Sequence, residues 1–188
     1  MEGELLIPPV GIGMRRGLSI SALLLVFLNS LPAATLERLS LEDMIEKSTA
    51  IVRGRVQSYR PLLRGPIIYT LYTVEVVERW KGAEESELEV AVPGGVAQGL
   101  HQTFAGAPSL ASGNEYVLFL WRGKSGLTHV IGLSQGLFRV EGDRAYRAAS
   151  TEAMLDPKTG RIVDDASLRM ELGELRSRVM SGVRRREK

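Results

Sequence analysis

Over most of its length the chain alternates dry and wet positions with a period of two, and it changes to a helical period only near the ends of the folded part. The clearest run is Tyr69 to Trp80, Y-T-L-Y-T-V-E-V-V-E-R-W, in which Thr70, Tyr72, Val74 and Val76 fall on one face and Thr73, Glu75 and Arg79 on the other. Its β-branched and aromatic residues predict a long strand with one buried face. Such a strand needs neighbours on both sides and a twist to wrap a core.

The neighbours read in the same way. In A-I-V-R-G-R-V-Q-S, Val52, Gly54 and Val56 alternate with Arg53, Arg55 and Gln57, and Gly54 marks a bend or a close backbone approach. Pro61 to Pro66 reads as a loop. Leu88, Val90 and Val92 alternate with Glu87 and Glu89 and stop at Pro93, Gly94 and Gly95. The stretch from Pro93 to Gly113 has no sustained period, which is long for a plain connection. Residues 115–121, E-Y-V-L-F-L-W, are apolar on both faces and predict a central strand covered on both sides. G-K-S-G at 123–126 is a hairpin turn with its return at 128–133, and a second hairpin occupies 136–148 around E-G-D.

Two helices flank these strands. Ser40 is placed to cap a short one, with Glu42 and Asp43 in its first turn and Leu39 and Met44 at staple spacing. Leu168, Leu172, Leu175, Val179 and Val183 recur at three and four and predict a C-terminal helix, with Glu174 and Arg178 as a supporting pair and Asp164 and Asp165 as its caps. The resulting expectation is a mainly β fold, a five- to seven-stranded antiparallel OB-like Greek-key barrel with a short N-terminal and a C-terminal helix; a β-sandwich is the alternative.

The first segment reads as an address. Arg15 and Arg16 precede the apolar run Leu18 to Leu28, and S-L-P-A-A-T follows at 30–35, the charged, apolar and small-residue order of a secretory signal. The run is shorter than the roughly 20 residues that span a bilayer. Residues 1–34 are therefore expected to be a signal peptide, with 1–13 as an upstream mis-annotated start before Met14. A β-barrel domain is expected over 35–150 and the helix with its basic tail over 151–188. The expected location is secreted or periplasmic, with membrane contact only through an uncleaved leader.

Composition narrows the chemistry. Of 188 residues, 44% are hydrophobic and 24% charged, an ordinary globular balance, and a net charge of +2 is too small to suggest nucleic acid without a clustered patch. There is no cysteine, which excludes disulfides, thiolate metal sites and a cysteine nucleophile.

The segments S-T-A-I-V-R-G-R-V, Y-T-V-E-V-V-E-R-W-K-G, V-A-V-P-G-G, G-N-E-Y-V-L-F-L-W and V-I-G-L-S-Q-G-L-F-R-V, covering most of Leu39 to Val140, resemble a group of uncharacterised exported bacterial proteins. The barrel expected for them is similar to the netrin-like fold of tissue metalloproteinase inhibitors. The resemblance implies location and fold. The inhibitors' mechanism uses an N-terminal cysteine that this chain lacks, so it does not carry over.

Motifs of catalysis are missing. His101 and His129 have no partner at metal-ligand spacing, no H-E-x-x-H or G-x-S-x-G occurs, and G-K-S-G at 123–126 lacks the upstream glycine of a phosphate loop, with Leu118 in its place. No cofactor fingerprint is present. Glu84, Glu85, Glu87 and Glu89 read as a solvated face. The long insert remains, with Gly94, Gly95, His101, Gln102 and Phe104 able to make contacts at a barrel rim; alternatively, Leu100, Phe104 and Leu110 cap the barrel. The reading is a non-catalytic binding or interaction module that uses the loop 93–108 on an envelope or secreted protein partner. A hydrolase with a site around His101 is the alternative. Export and the lack of aromatic residues interleaved with Lys and Arg argue against nucleic acid.

Overall fold

A computed structural model of the protein describes residues 35–82 and 84–185. The expected leader, with its start at Met14, and the last three residues of the basic tail lie outside the described residues. The elements are β1 (Thr35–Glu37), α1 (Leu41–Lys47), β2 (Ala50–Arg64), β3 (Ile67–Lys81), β4 (Glu87–Pro93), β5 (Gly95–Ala97), β6 (Leu100–Gln102), β7 (Glu115–Arg122), β8 (Thr128–Val130), β9 (Leu137–Glu141), β10 (Arg144–Arg147), β11 (Ala153–Leu155), β12 (Ile162–Val163), β13 (Leu168–Glu171) and α2 (Leu172–Arg184). The main sheet runs β13-β10-β9-β7-β2-β3-β4, with β8 also paired to β7, and every pairing in it is antiparallel. The mainly β expectation holds. Among the described residues no ladder closes the sheet into a barrel: the seam between β4 and β8 is crossed by a side chain, His129 Nδ1 lying 2.9 Å from Ala91 O.

β2 and β3 form one long hairpin whose turn is only Gly65 and Pro66. The loop expected from Pro61 is strand instead, and Pro61 pairs with Thr70. Its missing N–H does no harm because β7 covers β2 only from Ala50 to Arg55, so Pro61 stands on a free edge. Register shifts at Ile51/Val52, Arg53/Gly54 and Val56/Ser58 bend the pair. They also break the simple alternation expected along β3, where Ile68, Leu71, Val74 and Trp80 are the buried residues.

β7 is the central strand its composition predicts. Tyr116, Leu118 and Leu120 face a cluster with Val52, Val56, Val74, Val90 and Leu110 inside the curl of the sheet. Val117 and Phe119 face a second cluster with Met44, Ile45, Trp80, Phe138, Leu175 and Val179, which the two helices cover. α1 starts where Ser40 caps it, its Oγ accepting from Asp43 N at 3.0 Å while Asp43 accepts from Ser40 N.

The C-terminal region differs from expectation in three ways. Leu168 belongs to β13, which pairs with β10 from Arg144 to Arg147, and the helix begins at Leu172. Asp165 does not cap α2. It accepts two hydrogen bonds from Arg147, at 2.8 Å each, and one from Ser150 N. Arg178 reaches Glu42 at 3.5 Å rather than Glu174. The first has a plain reason: β10 offers an open edge, and an extended 168–171 satisfies more backbone groups there than a free helical turn would. β1 pairs in parallel with β11, so the segments on either side of residue 150 share hydrogen-bonded sheets.

The insert after β4 is a small hairpin, β5 with β6, turning through Gln98 and Gly99 at positive φ. Gly94 and Gly95 lead into it at φ +105 and +130. A Cβ at Gly95 would stand 2.5 Å from Thr70 Oγ1. Gly95→Ala is accordingly expected to cost about 2 kcal/mol through backbone strain and displacement of Thr70, read as a lower midpoint in thermal unfolding; an unchanged midpoint would show that the hairpin contributes no stability.

Candidate functional site

The face of β7 that carries Phe119 continues to Trp121, beyond the reach of the helices. The G-K-S-G turn pairs Trp121 with His129 across the β7–β8 hairpin, and their ring centroids lie 5.5 Å apart. On the other side of the seam, Tyr69 brings its ring centroid to 6.0 Å from that of His129. Around this row of rings lies a cavity of about 540 Å³, within the range of small-ligand sites. β3 and β4 supply Ile67, Tyr69, Ala91 and Pro93, the insert supplies Phe104 and Pro108, and the chain before α1 supplies Leu36 and Leu39. The lining is mainly apolar, with Glu37, Lys47 and Gln135 as polar members beside the rings.

Two devices hold the rest of the wall. The turn 131–136 places Gly132 and Leu133 consecutively in the left-handed region, at φ +58 and +57, and Leu133 lines the cavity. A large residue held there is costly, and such strain concentrates at binding sites. In the same turn the buried amide of Gln135 accepts from Leu39 N at 2.8 Å and donates to Glu37 O at 2.9 Å, which ties the segment 36–39 over the cavity. At the rim Lys47 donates to Glu37 at 3.0 Å, and this bond raises the lysine pKa above its ordinary value. The charges at the mouth are thus matched with each other.

One nitrogen of His129 is committed across the seam. A carbonyl only accepts, so Nδ1 at 2.9 Å from Ala91 O carries the proton, and in the neutral ring Nε2 is an acceptor. Nε2 has no hydrogen-bond partner among the described residues.

The residues expected to form a site are separated by the fold. Gly94 and Gly95 make the turn into the hairpin, with Gly94 N donating to Ile68 O and Thr70 Oγ1 donating to Gly94 O. Gln102 accepts from Ile68 N and donates to Pro66 O, both at 2.7 Å, and so pins the hairpin to β3. His101 is exposed opposite Val96, with no hydrogen bond or ion pair among the described residues; no acid or serine reaches it, as a hydrolase site there would need. Phe104 alone of the five lines the cavity. Of the residues expected to cap the barrel, Leu110 is buried in the inner cluster, while Leu100 is 59% exposed. Among the described residues no group of three His, Cys, Asp or Glu is placed to hold a metal ion. No described helix is long and apolar enough to cross a membrane.

Sequence reasoning missed Tyr69, Trp121, His129 and Leu133. A signal for two of them existed, since Trp121 and His129 are equidistant from Ser125 and a hairpin turn there pairs them. No family model, curated protein or solved structure matches this chain.

Proposed function

We propose that the chain is an exported, non-catalytic binding module of OB-like architecture that seats an apolar group in the cavity beside Trp121. The carrying observation is the cavity itself: about 540 Å³, walled by Tyr69, Phe104, Trp121 and His129. A soluble surface normally buries such rings, and a concave, mainly apolar lining with a few polar atoms is the arrangement of a ligand site. Trp121 remains 41% exposed and Phe104 38%. The insert takes part through Phe104 and Pro108, while His101 stands away from the cavity. The group enters as a free small molecule or on an envelope or secreted partner.

The strand order supports the OB-like reading. With β2, β3, β4, β7 and β8 numbered one to five in chain order, the curl meets them as one, two, three, five, four, with the seam between three (β4) and five (β8). That is the circuit of a partly open five-stranded Greek-key barrel. Export rests on the charged, apolar and small-residue order of residues 15–35.

The test uses 1-anilinonaphthalene-8-sulfonate, an apolar fluorescent probe, titrated into the protein. We expect saturable binding with energy transfer from tryptophan that Trp121→Phe reduces, leaving only the buried Trp80. Phe104→Ser is expected to weaken binding about tenfold through lost apolar contact, whereas Leu100→Ser with His101→Ser leaves it unchanged. Loss of binding in the hairpin variant with none in Phe104→Ser would move the site from the cavity to the hairpin tip.

A further inference from the structure

Eight arginines of the described residues each meet a carboxylate. Arg79 and Arg184 do not, and both line one recess of about 410 Å³ between the end of β3 and the last turn of α2. Arg79 Nη2 donates to the main-chain oxygens of Glu84 and Glu85 at 2.8 and 2.9 Å, and Arg184 Nε to Met180 O at 3.3 Å. Neither has an ion-pair partner among the described residues. We propose that this recess binds a small organic oxyanion, its charge on the two guanidinium groups and its apolar body on Trp80, Met180 and Val183. The recess shares no residue with the cavity beside Trp121.

Charge is the first ground. Among the described residues the lining holds Arg79, Lys81 and Arg184 and no acidic side chain. Lys81 is tied to the last turn of α1, donating to Ile45 O at 2.6 Å, which leaves the two arginines to meet a ligand. A guanidinium carries five N–H donors in a planar fork that matches an oxyanion. Each of these two has spent one nitrogen on carbonyl oxygens and keeps the others.

The opposing charges nearby are the second ground, because they are already answered. Glu78 pairs with Arg53 and Arg176 and accepts from Trp80 Nε1. Glu84 and Glu85 turn main-chain oxygens, not carboxylates, to Arg79. The end of α2 presents about half a negative charge, against two full positive ones. Arg184 on Met180 O and Arg185 N on Ser181 O take up part of that half.

The third ground is the floor. Trp80 is buried and Met180 and Val183 are half-buried. A bare inorganic ion gains nothing from such a surface, whereas an apolar body covering it is removed from water. The volume lies within the range of small-ligand sites.

The test titrates 1-naphthyl phosphate, inorganic phosphate and 1-naphthol into the protein. Binding is read by calorimetry and by the indole N–H signals in NMR. The chain has two tryptophans, and Trp121→Phe assigns the signal of Trp80. 1-Naphthyl phosphate should bind saturably and move that signal. Its affinity should fall about fivefold between about 0.05 and about 0.5 M sodium chloride, as screening requires. Inorganic phosphate and 1-naphthol each carry half of the ligand and should bind about tenfold more weakly.

Arg184→Gln should weaken binding of 1-naphthyl phosphate about fivefold. This arginine is exposed and its one hydrogen bond lies within its own helix, so the fold does not depend on it. Arg79→Gln should act in the same direction, but it also releases the turn at 84–85, so Arg184→Gln is the deciding variant. Arg122→Gln removes an exposed arginine at the end of β7, outside the recess, and should leave binding unchanged.

Equal binding of 1-naphthol or of inorganic phosphate overturns the proposal, since either the charge or the floor then takes no part. So does an Arg122→Gln effect as large as that of Arg184→Gln, or a Trp80 signal that stays in place while the ligand binds. Loss of binding in Phe104→Ser with none in Arg184→Gln would put the anion in the cavity and remove the second site. Absence of binding by all three probes overturns the proposal and leaves the cavity reading to its own test.

Discussion

Arg147→Met is expected to destabilise the protein by about 3 kcal/mol, because it strands a carboxylate. The side chains of Arg147 and Asp165 are only 9% and 3% exposed, and the guanidinium meets both carboxylate oxygens at 2.8 Å. Without the arginine, Asp165 keeps only backbone N–H groups, those of Ser150 and Ala166, and no opposite charge. Replacing both partners, Arg147→Met with Asp165→Leu, is expected to recover most of the loss, since the cost lies in the orphaned charge rather than in the pair. Urea unfolding of the two variants separates these terms. A single variant within about 0.5 kcal/mol of the native protein would mean that the carboxylate reaches water.

The pH dependence of that variant has a definite sign. Burial by itself pushes the Asp165 carboxyl up, but the Arg147 hydrogen bonds and the Ser150 N–H together bring it below its ordinary value. Glu115 is also depressed, chiefly by its hydrogen bond from Arg53, and Glu78 by those from Trp80 and Arg53. A depressed carboxyl stabilises the fold at neutral pH, and that contribution is lost as pH falls through the folded-state value. Native stability should therefore decline below the ordinary carboxylate range of about pH 4. In Arg147→Met the sign reverses for Asp165: burial now raises its pKa, so acid relieves the penalty. The stability gap between native and variant should close on acidification. A gap that widens from pH 7 to pH 3 would contradict the assignment.

Phe119→Ala should cost about 4 kcal/mol, as large truncations in a closed core do. Phe119 is fully buried, its ring stands 5.8 Å from that of Phe138, and it lies in the cluster that α1 and α2 cover. The void would open under both helices, so proteolysis should cut the α2 segment early, before the sheet is lost. A loss under 1 kcal/mol, or a variant whose helix is as resistant as the native one, would show that the outer cluster collapses onto the gap.

Local chemistry made several elements legible. Ser40 with Asp43 specifies where α1 begins whatever surrounds it, because both bonds lie within one turn. G-K-S-G and E-G-D close hairpins over a few residues, and the unbroken apolar run 116–120 needs cover on both faces in any fold. Pro61 misled because a proline excludes only the interior of a sheet, and whether β2 is an edge at that point depends on where β7 stops, a partner more than fifty residues away. Leu168 misled because a helical spacing does not reveal that β10 has a free edge to fill. The candidate site was least legible for the same reason. Phe104 was singled out with four neighbours in sequence, yet the cavity joins it instead to Tyr69, Trp121, His129 and Leu133.

By itself, then, the sequence determined what short-range forces determine: the period of each strand, the cap of the first helix, the turns, and the absence of thiol chemistry. The tertiary structure decided the bulges that re-aim β3, the open seam between β4 and β8, the burial of Arg147 with Asp165, and the gathering of rings around His129. Those features depend on which strands meet and in what register, and a period-two pattern is compatible with many registers until the whole sheet curls and one of them buries both faces of β7.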